Sequence, residues 1–195
     1  MSRRSHDLAL VAVFAGVIAA LGLVPAVSVP GFPVPITLQS MGVVLAGAVL
    51  GARRGAASVL LFLALVAVGL PLLAGGRGGL GVFATASVGF LLVWPFVAAL
   101  VGWLTERRGA PYQVRWGIPI NLVGGMGLMY IGGWLGMVTV GGLSLPAAIT
   151  ATAIFLPGDA IKMVVAAFVA AAVHRALPDL LPVSDPADAP VAVDA

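Results

Sequence analysis

Cysteine is absent from this chain of 195 residues, and histidine occurs only at His6 and His174. The first absence excludes disulfides and thiolate metal sites. The second, with only seven acidic side chains, leaves few ligands for a transition-metal centre. Charge is also scarce: Asp, Glu, Lys and Arg together make up 9% of the chain, against about a quarter in an average soluble domain. Apolar types fill 61%, so nearly all of the chain reads as membrane domain. A Gly-x-x-x-x-Gly-Lys-Ser/Thr sequence is missing, so the stretch GGRGG at 75–79 is not a nucleotide-phosphate loop. No serine–histidine or paired-carboxylate arrangement points to an intramembrane enzyme. The net charge of +3 comes from basic residues scattered through short loops, which is not the pattern of a nucleic-acid-binding face.

What is present is a series of apolar segments: Leu8–Val27, Leu38–Leu50, Ala56–Leu73, Val82–Leu104, Gly117–Val140 and Pro157–Leu177. A full helical span takes about 20 residues. Six spans are therefore expected, in an all-α membrane protein, with the second running into the Pro-rich stretch before it or sitting where the bilayer is thin. Residues 144–155, SLPAAITATAIF, are too few to span and read as a helix or re-entrant stretch at the outer face. Arg3, Arg4, Arg53, Arg54, Arg107, Arg108, Arg115 and Arg175 all fall on one side of a six-span layout, and Arg77 lies on the other. The positive-inside rule then puts both termini in the cytoplasm and the Pro/Gly-rich loops outside. A cleaved signal peptide at segment one would conflict with that charge pattern. Residues 1–178 are expected to form the membrane domain. Residues 179–195, rich in Pro and Asp, read as a disordered cytoplasmic tail.

Two charges stand inside the sixth segment, LPGDAIKMVVAAFVAAAV: Asp159 and Lys162. A charge at the bilayer centre costs about 3 kcal/mol on insertion scales, so such residues are rare and usually functional. Their spacing of three lets them neutralise each other on one helix face. Pro157 suits a first helical turn, which puts Asp159 near the positive end of the helix dipole. The pair reads either as an anchor for a helix start or as a ligand clamp. In the clamp, Lys162 would hold an anionic group and Asp159 would accept from ligand N–H donors.

Other candidates are weaker by themselves. Gln39 stands at the start of segment two and suits a site that needs amide hydrogen bonding. The Gly-rich stretch 71–90 reads as a hairpin or a lid, with Arg77 facing an anionic tail or water. Tyr130 and Trp134, one turn apart, fit the core, the interfacial belt, or the walls around a flat heterocycle. Ala12, Ala15, Gly16 and Ala19 form small-xxx-small pairs that permit close helix approach, within the chain or to a partner.

Taken together, PVPITLQSMGVVLAGAVLG, GLPLLAGGRGGLGVF and FLPGDAIK resemble the biotin-specific substrate-binding subunit, BioY, of energy-coupling-factor (ECF) transporters. The resemblance runs from Leu8 to about Leu177. It implies the six-helix S-component fold and biotin as ligand, bound from outside between the outer loops and segments four to six. It implies no cofactor. Asp159 and Lys162, matching the family's PGDxxK motif, would contact the ligand, as would Gln39, Arg77, Gly79, Phe83, Thr85, Tyr130 and Trp134. The family often carries Gly-Pro-Thr after the Gly-rich loop. This chain reads Phe83-Ala84-Thr85-Ala86-Ser87, with Thr85 taken as the counterpart and the Pro absent. The face bearing Ala12, Ala15, Gly16 and Ala19 would dock the transmembrane coupling subunit, and two ATPase subunits would drive uptake across the cell membrane. Self-association, and a different vitamin or small anionic metabolite as ligand, stay open at this point.

Overall fold

The computed structural model describes residues 3–28 and 33–180. The expected tail therefore lies almost wholly outside the described residues, as does part of the first Pro-rich loop. The described residues are helical, with no strands beyond two isolated bridges, Val27 with Ile36 and Leu73 with Arg77. Five helical stretches are long and apolar enough to cross a membrane. Large apolar side chains face outward along them, including Leu8, Phe96, Val123, Leu135, Ile161 and Phe168, as a lipid surround requires.

Helix α1 runs Arg3–Leu21 and stops where Gly22 and then Pro25 interrupt it. Helix α2 covers Gln39–Ala67 but is not one rod. Gly51 sits at φ 80, a conformation that favours glycine, and the chain turns back there. A Cβ on Gly55 would lie 2.9 Å from Ala46 O and Gly47 Cα, nine and eight residues earlier, so the two limbs run side by side. They correspond to the second and third apolar segments of the sequence. Glu106 of α3 (Val88–Arg108) seals the turn, its Oε1 accepting from Ala52 N–H at 3.0 Å. A carboxylate at the start of the second limb also complements the helix dipole. The α2–α3 pairing is the most extensive in the fold. It depends on bare backbone: a Cβ at Gly47 would collide with Ala98 O, and one at Gly102 with Gly51 and Ala52.

The fifth segment is a helix in three pieces: α4 (Val114–Pro119), a wider π-helical stretch (Ile120–Gly127) and α5 (Leu128–Thr139). Within the wide stretch, Asn121 is fully buried and its Nδ2 donates to Met163 O at 3.0 Å, tying it to the last long helix, α7 (Leu156–Ala176). α5 meets α3 through Gly132 and Gly136 against Gly89. The short segment expected at 144–155 is helix α6, Leu145–Ala153, with Ser144 Oγ capping Ala147 N–H. Helix α7, Leu156–Ala176, carries Pro157 and Asp159 in its first turn, as the sequence predicts. At the end of the fold opposite these loops, Tyr112 stacks on His174 with ring centroids 5.1 Å apart, and burial pushes its hydroxyl pKa up to about 12.

Candidate functional site

One end of the bundle is built from irregular chain: residues 33–38, the 68–87 connection and the start of α7. A cavity of about 60 Å³ opens there. Its wall comes from Val34 to Thr37, Gln39 and Ser40 at the start of α2, and Leu73 and Arg77 from the loop. Ser87, Phe90, Leu91 and Trp94 come from α3, Met129 from α5, and Phe155, Asp159 and Lys162 from the α7 start. Ser87, Leu91 and Trp94 recur at i, i+4 and i+7, so the start of α3 presents one stripe to the space.

The two charges sit in this wall, each 7% exposed, and are paired: Lys162 Nζ lies 2.5 Å from Asp159 Oδ1. Lys162 also donates to Thr37 O at 2.8 Å and to Ser40 Oγ at 3.2 Å, so its three N–H donors are all engaged. Asp159 Oδ2 accepts from Tyr130 O–H at 2.9 Å. A carboxylate offers about four lone-pair sites, so Asp159 still has room for two donors. Isolated ions would not be tolerated in such a place; here each has a counter-charge and further hydrogen bonds.

The remaining sequence candidates separate. Gln39 reaches the wall, but its amide is committed to backbone: Nε2 donates to Ile18 O (3.2 Å) and Leu72 O (2.9 Å), and Oε1 accepts from Ala74 N–H (2.9 Å). It ties α1 and the Gly-rich loop to α2. Arg77 lines the wall and donates through Nε to Ala74 O at 3.2 Å. It also lines a second, wider groove between the end of α1 and the 71–77 loop, which places it at the mouth. Gly79, Phe83, Thr85 and Trp134 do not form the wall. Gly79 N–H binds Val66 O and Phe83 packs on the core. Thr85 Oγ1 pairs with Ser87 Oγ at 2.9 Å, and Trp134 Nε1 donates to Thr152 Oγ1 at 2.7 Å, joining α5 to α6. Tyr130 acts through Asp159 rather than as a wall. On α1, Ala12 and Gly16 are exposed and Ala19 is half-buried. Ala15, at 3% exposed, packs inward and is not presented to a partner.

Sequence reasoning missed Ser40, Ser87, Phe90, Trp94, Met129 and Phe155. The helical stripe after Ser87 was a signal for some of them. Ser40 and Met129 gave none, since polar and apolar residues like them recur throughout the chain.

A family model described as the BioY family matches residues 1–179. The chain is 47% identical over 184 residues to the biotin transporter BioY of Rhizobium etli, covering 91% of this chain and 97% of that protein. It is 49% identical to the biotin transporter BioY of Rhodobacter capsulatus, covering 90% and 97%. Its fold is similar to the crystal structure of the S-component for biotin from an ECF-type ABC transporter. The TM-score is 0.81 at 29% identity, with 90% of this chain and 95% of that one covered.

Proposed function

We propose, from the premise that this chain belongs to the BioY family, that it is the membrane-embedded biotin-binding subunit of an energy-coupling-factor transporter. The observation that carries the site is the Asp159–Lys162 pair in the wall of the cavity, held by Tyr130, Thr37 and Ser40. It is a transport subunit and not an enzyme: biotin is its ligand, bound reversibly and unchanged, and no cofactor takes part.

Each role follows from the bonding already described. Asp159 keeps lone pairs for further donors, which suits a ureido N–H group of biotin. Lys162, fully engaged, pairs with Asp159 and fixes its direction. Arg77 at the mouth meets the carboxylate of the valeryl tail. Phe90, Leu91, Met129 and Phe155 cover the apolar bicycle and chain. Gly79, Phe83 and Thr85 shape the connection that would close over the ligand, and Trp134 with Tyr130 braces the wall.

The fold-back at Gly51 makes six passes, and the Arg-rich turns at 53–54 and 107–115 then share one side with both termini. The cavity end faces outward, across the cytoplasmic membrane. The exposed Ala12 and Gly16 support a docking face for the coupling subunit, because small residues let helices approach closely. Two ATPase subunits supply the energy.

A biotin titration of the purified, detergent-solubilised chain tests the ligand, with Lys162→Ala beside it. We expect saturable, stoichiometric binding by the wild type. In the variant it should be at least about a hundredfold weaker, since breaking a buried pair typically costs 3–5 kcal/mol. No binding by the folded wild type would reject biotin and turn the search to other vitamins. For orientation, the Cys-free chain accepts single cysteines at Gly75 and Arg108. Labelling of Arg108→Cys, and not Gly75→Cys, by an impermeant maleimide on intact cells would reverse the assignment.

A further inference from the structure

Trp94 is 5% exposed, stands in the cavity wall, and its indole Nε1–H has no hydrogen-bond partner. Buried donors are nearly always paired, because leaving one unpaired destabilises the fold. The other polar groups of the wall do not share this condition. Lys162 is saturated, the Gln39 amide is bound to backbone, and the Ser87 hydroxyl pairs with Thr85. The Trp94 ring lies 6.2 Å from Phe62, a contact a phenyl ring could also make. The surplus of Trp over Phe is a larger ring and one N–H.

We infer that the Trp94 indole N–H is a ligand-recognising donor, kept for a neutral oxygen acceptor of the bound molecule; on the biotin reading above, that oxygen is the ureido carbonyl. Trp94 is seven residues beyond Ser87 along α3, so at 1.5 Å per residue it lies about 10 Å deeper than the rim. Lys162 is six residues into α7, at similar depth by the same measure. The wall beside Trp94 is apolar, with Leu91 and Met129. A ligand carboxylate there would need a cation, and Lys162 is already neutralised by Asp159. A carbonyl needs only a donor. Asp159 taking one ureido N–H and Trp94 donating to the carbonyl would satisfy a donor and the acceptor of the urea.

The test titrates the full detergent-solubilised chain and its Trp94→Phe variant with biotin and with 2-thiobiotin, whose sulfur is a weaker acceptor. We expect the variant to bind biotin about tenfold more weakly, the scale of one neutral hydrogen bond, and 2-thiobiotin about as the wild type does. Unchanged affinity for biotin would overturn the inference. So would equal loss for both ligands, which marks a packing effect. Failure of the wild type to bind biotin would instead strike the biotin reading on which this rests. Should Trp94→Phe not fold, wild-type protein with ¹⁵N-labelled tryptophan decides. Of its four indole signals, the one left after assignment through Trp103→Phe, Trp116→Phe and Trp134→Phe must move downfield on saturation with biotin. If it stays in place, the inference is wrong.

Discussion

The two ends of this bundle use glycine in opposite ways. At the Gly51 end, Gly47, Gly55 and Gly102 are where one backbone lies directly against another; a Cβ there would meet Ala98, Ala46 or Ala52. At the cavity end, Gly75 and Gly76 have open space around them and stand at φ 81 and 71. There the residue supplies a backbone conformation, not a close contact. The first use makes a rigid helical hairpin. The second lets the loop turn sharply beside the cavity. Glu106 at the closed end is committed to the turn, whereas Asp159 and Trp94 at the open end retain hydrogen-bonding capacity.

The largest effect should come from breaking the closed end. Gly102→Val would drive a branched side chain into the Gly51–Ala52 backbone, and we expect no monodisperse folded protein in detergent by size-exclusion chromatography. A Gly102→Val protein that folds and binds biotin normally would show that the helices can part without cost. Next is Asp159→Asn, which leaves Lys162 buried without its counter-charge. It should weaken biotin binding by more than about a hundredfold in a titration. Tyr130→Phe removes one hydrogen bond to that carboxylate and should cost about tenfold in affinity. Arg77→Ala, at the half-exposed mouth, should cost about 1 kcal/mol or less, and that loss should shrink in high salt. Smallest is Gly75→Ala. It meets no atom, yet disfavours a positive φ by about 1 kcal/mol. It should lower Tm by no more than about 2–4 °C while altering biotin dissociation in a stopped-flow chase. A Gly75→Ala variant as disruptive as Gly102→Val would erase the contrast between the ends.

Much of the layout was legible in the sequence because insertion into a bilayer is a one-dimensional problem. Apolar length and the position of Arg residues locate helices and turns, down to the fold-back at Gly51 between two apolar runs. Asp159 and Lys162 were legible for the same reason: charge inside a span is costly wherever it occurs. Gln39 was recognised as a polar residue at the site, but not that its amide serves as a bracket for α1 and the loop. Trp134 read as core, interfacial belt or ligand wall, and only the structure shows its N–H bonded to Thr152. Sequence gives the donors of a side chain but not the backbone carbonyl that will stand 30 residues away.

By itself, then, the sequence determined that this is an all-helical membrane protein, where its apolar helices and turns fall, and which charges stand inside a span. These depend on hydropathy, helix-breaking residues and the cost of burying charge, all properties of local chain. The tertiary structure alone decided which polar groups saturate one another and which stay uncommitted. A carbonyl oxygen from the 33–38 loop, a hydroxyl from α2 and a carboxylate from α7 converge on Lys162. The Trp94 N–H meets none. Hydrogen bonds act over about 3 Å between atoms distant in sequence, so only the packed bundle determines where they form.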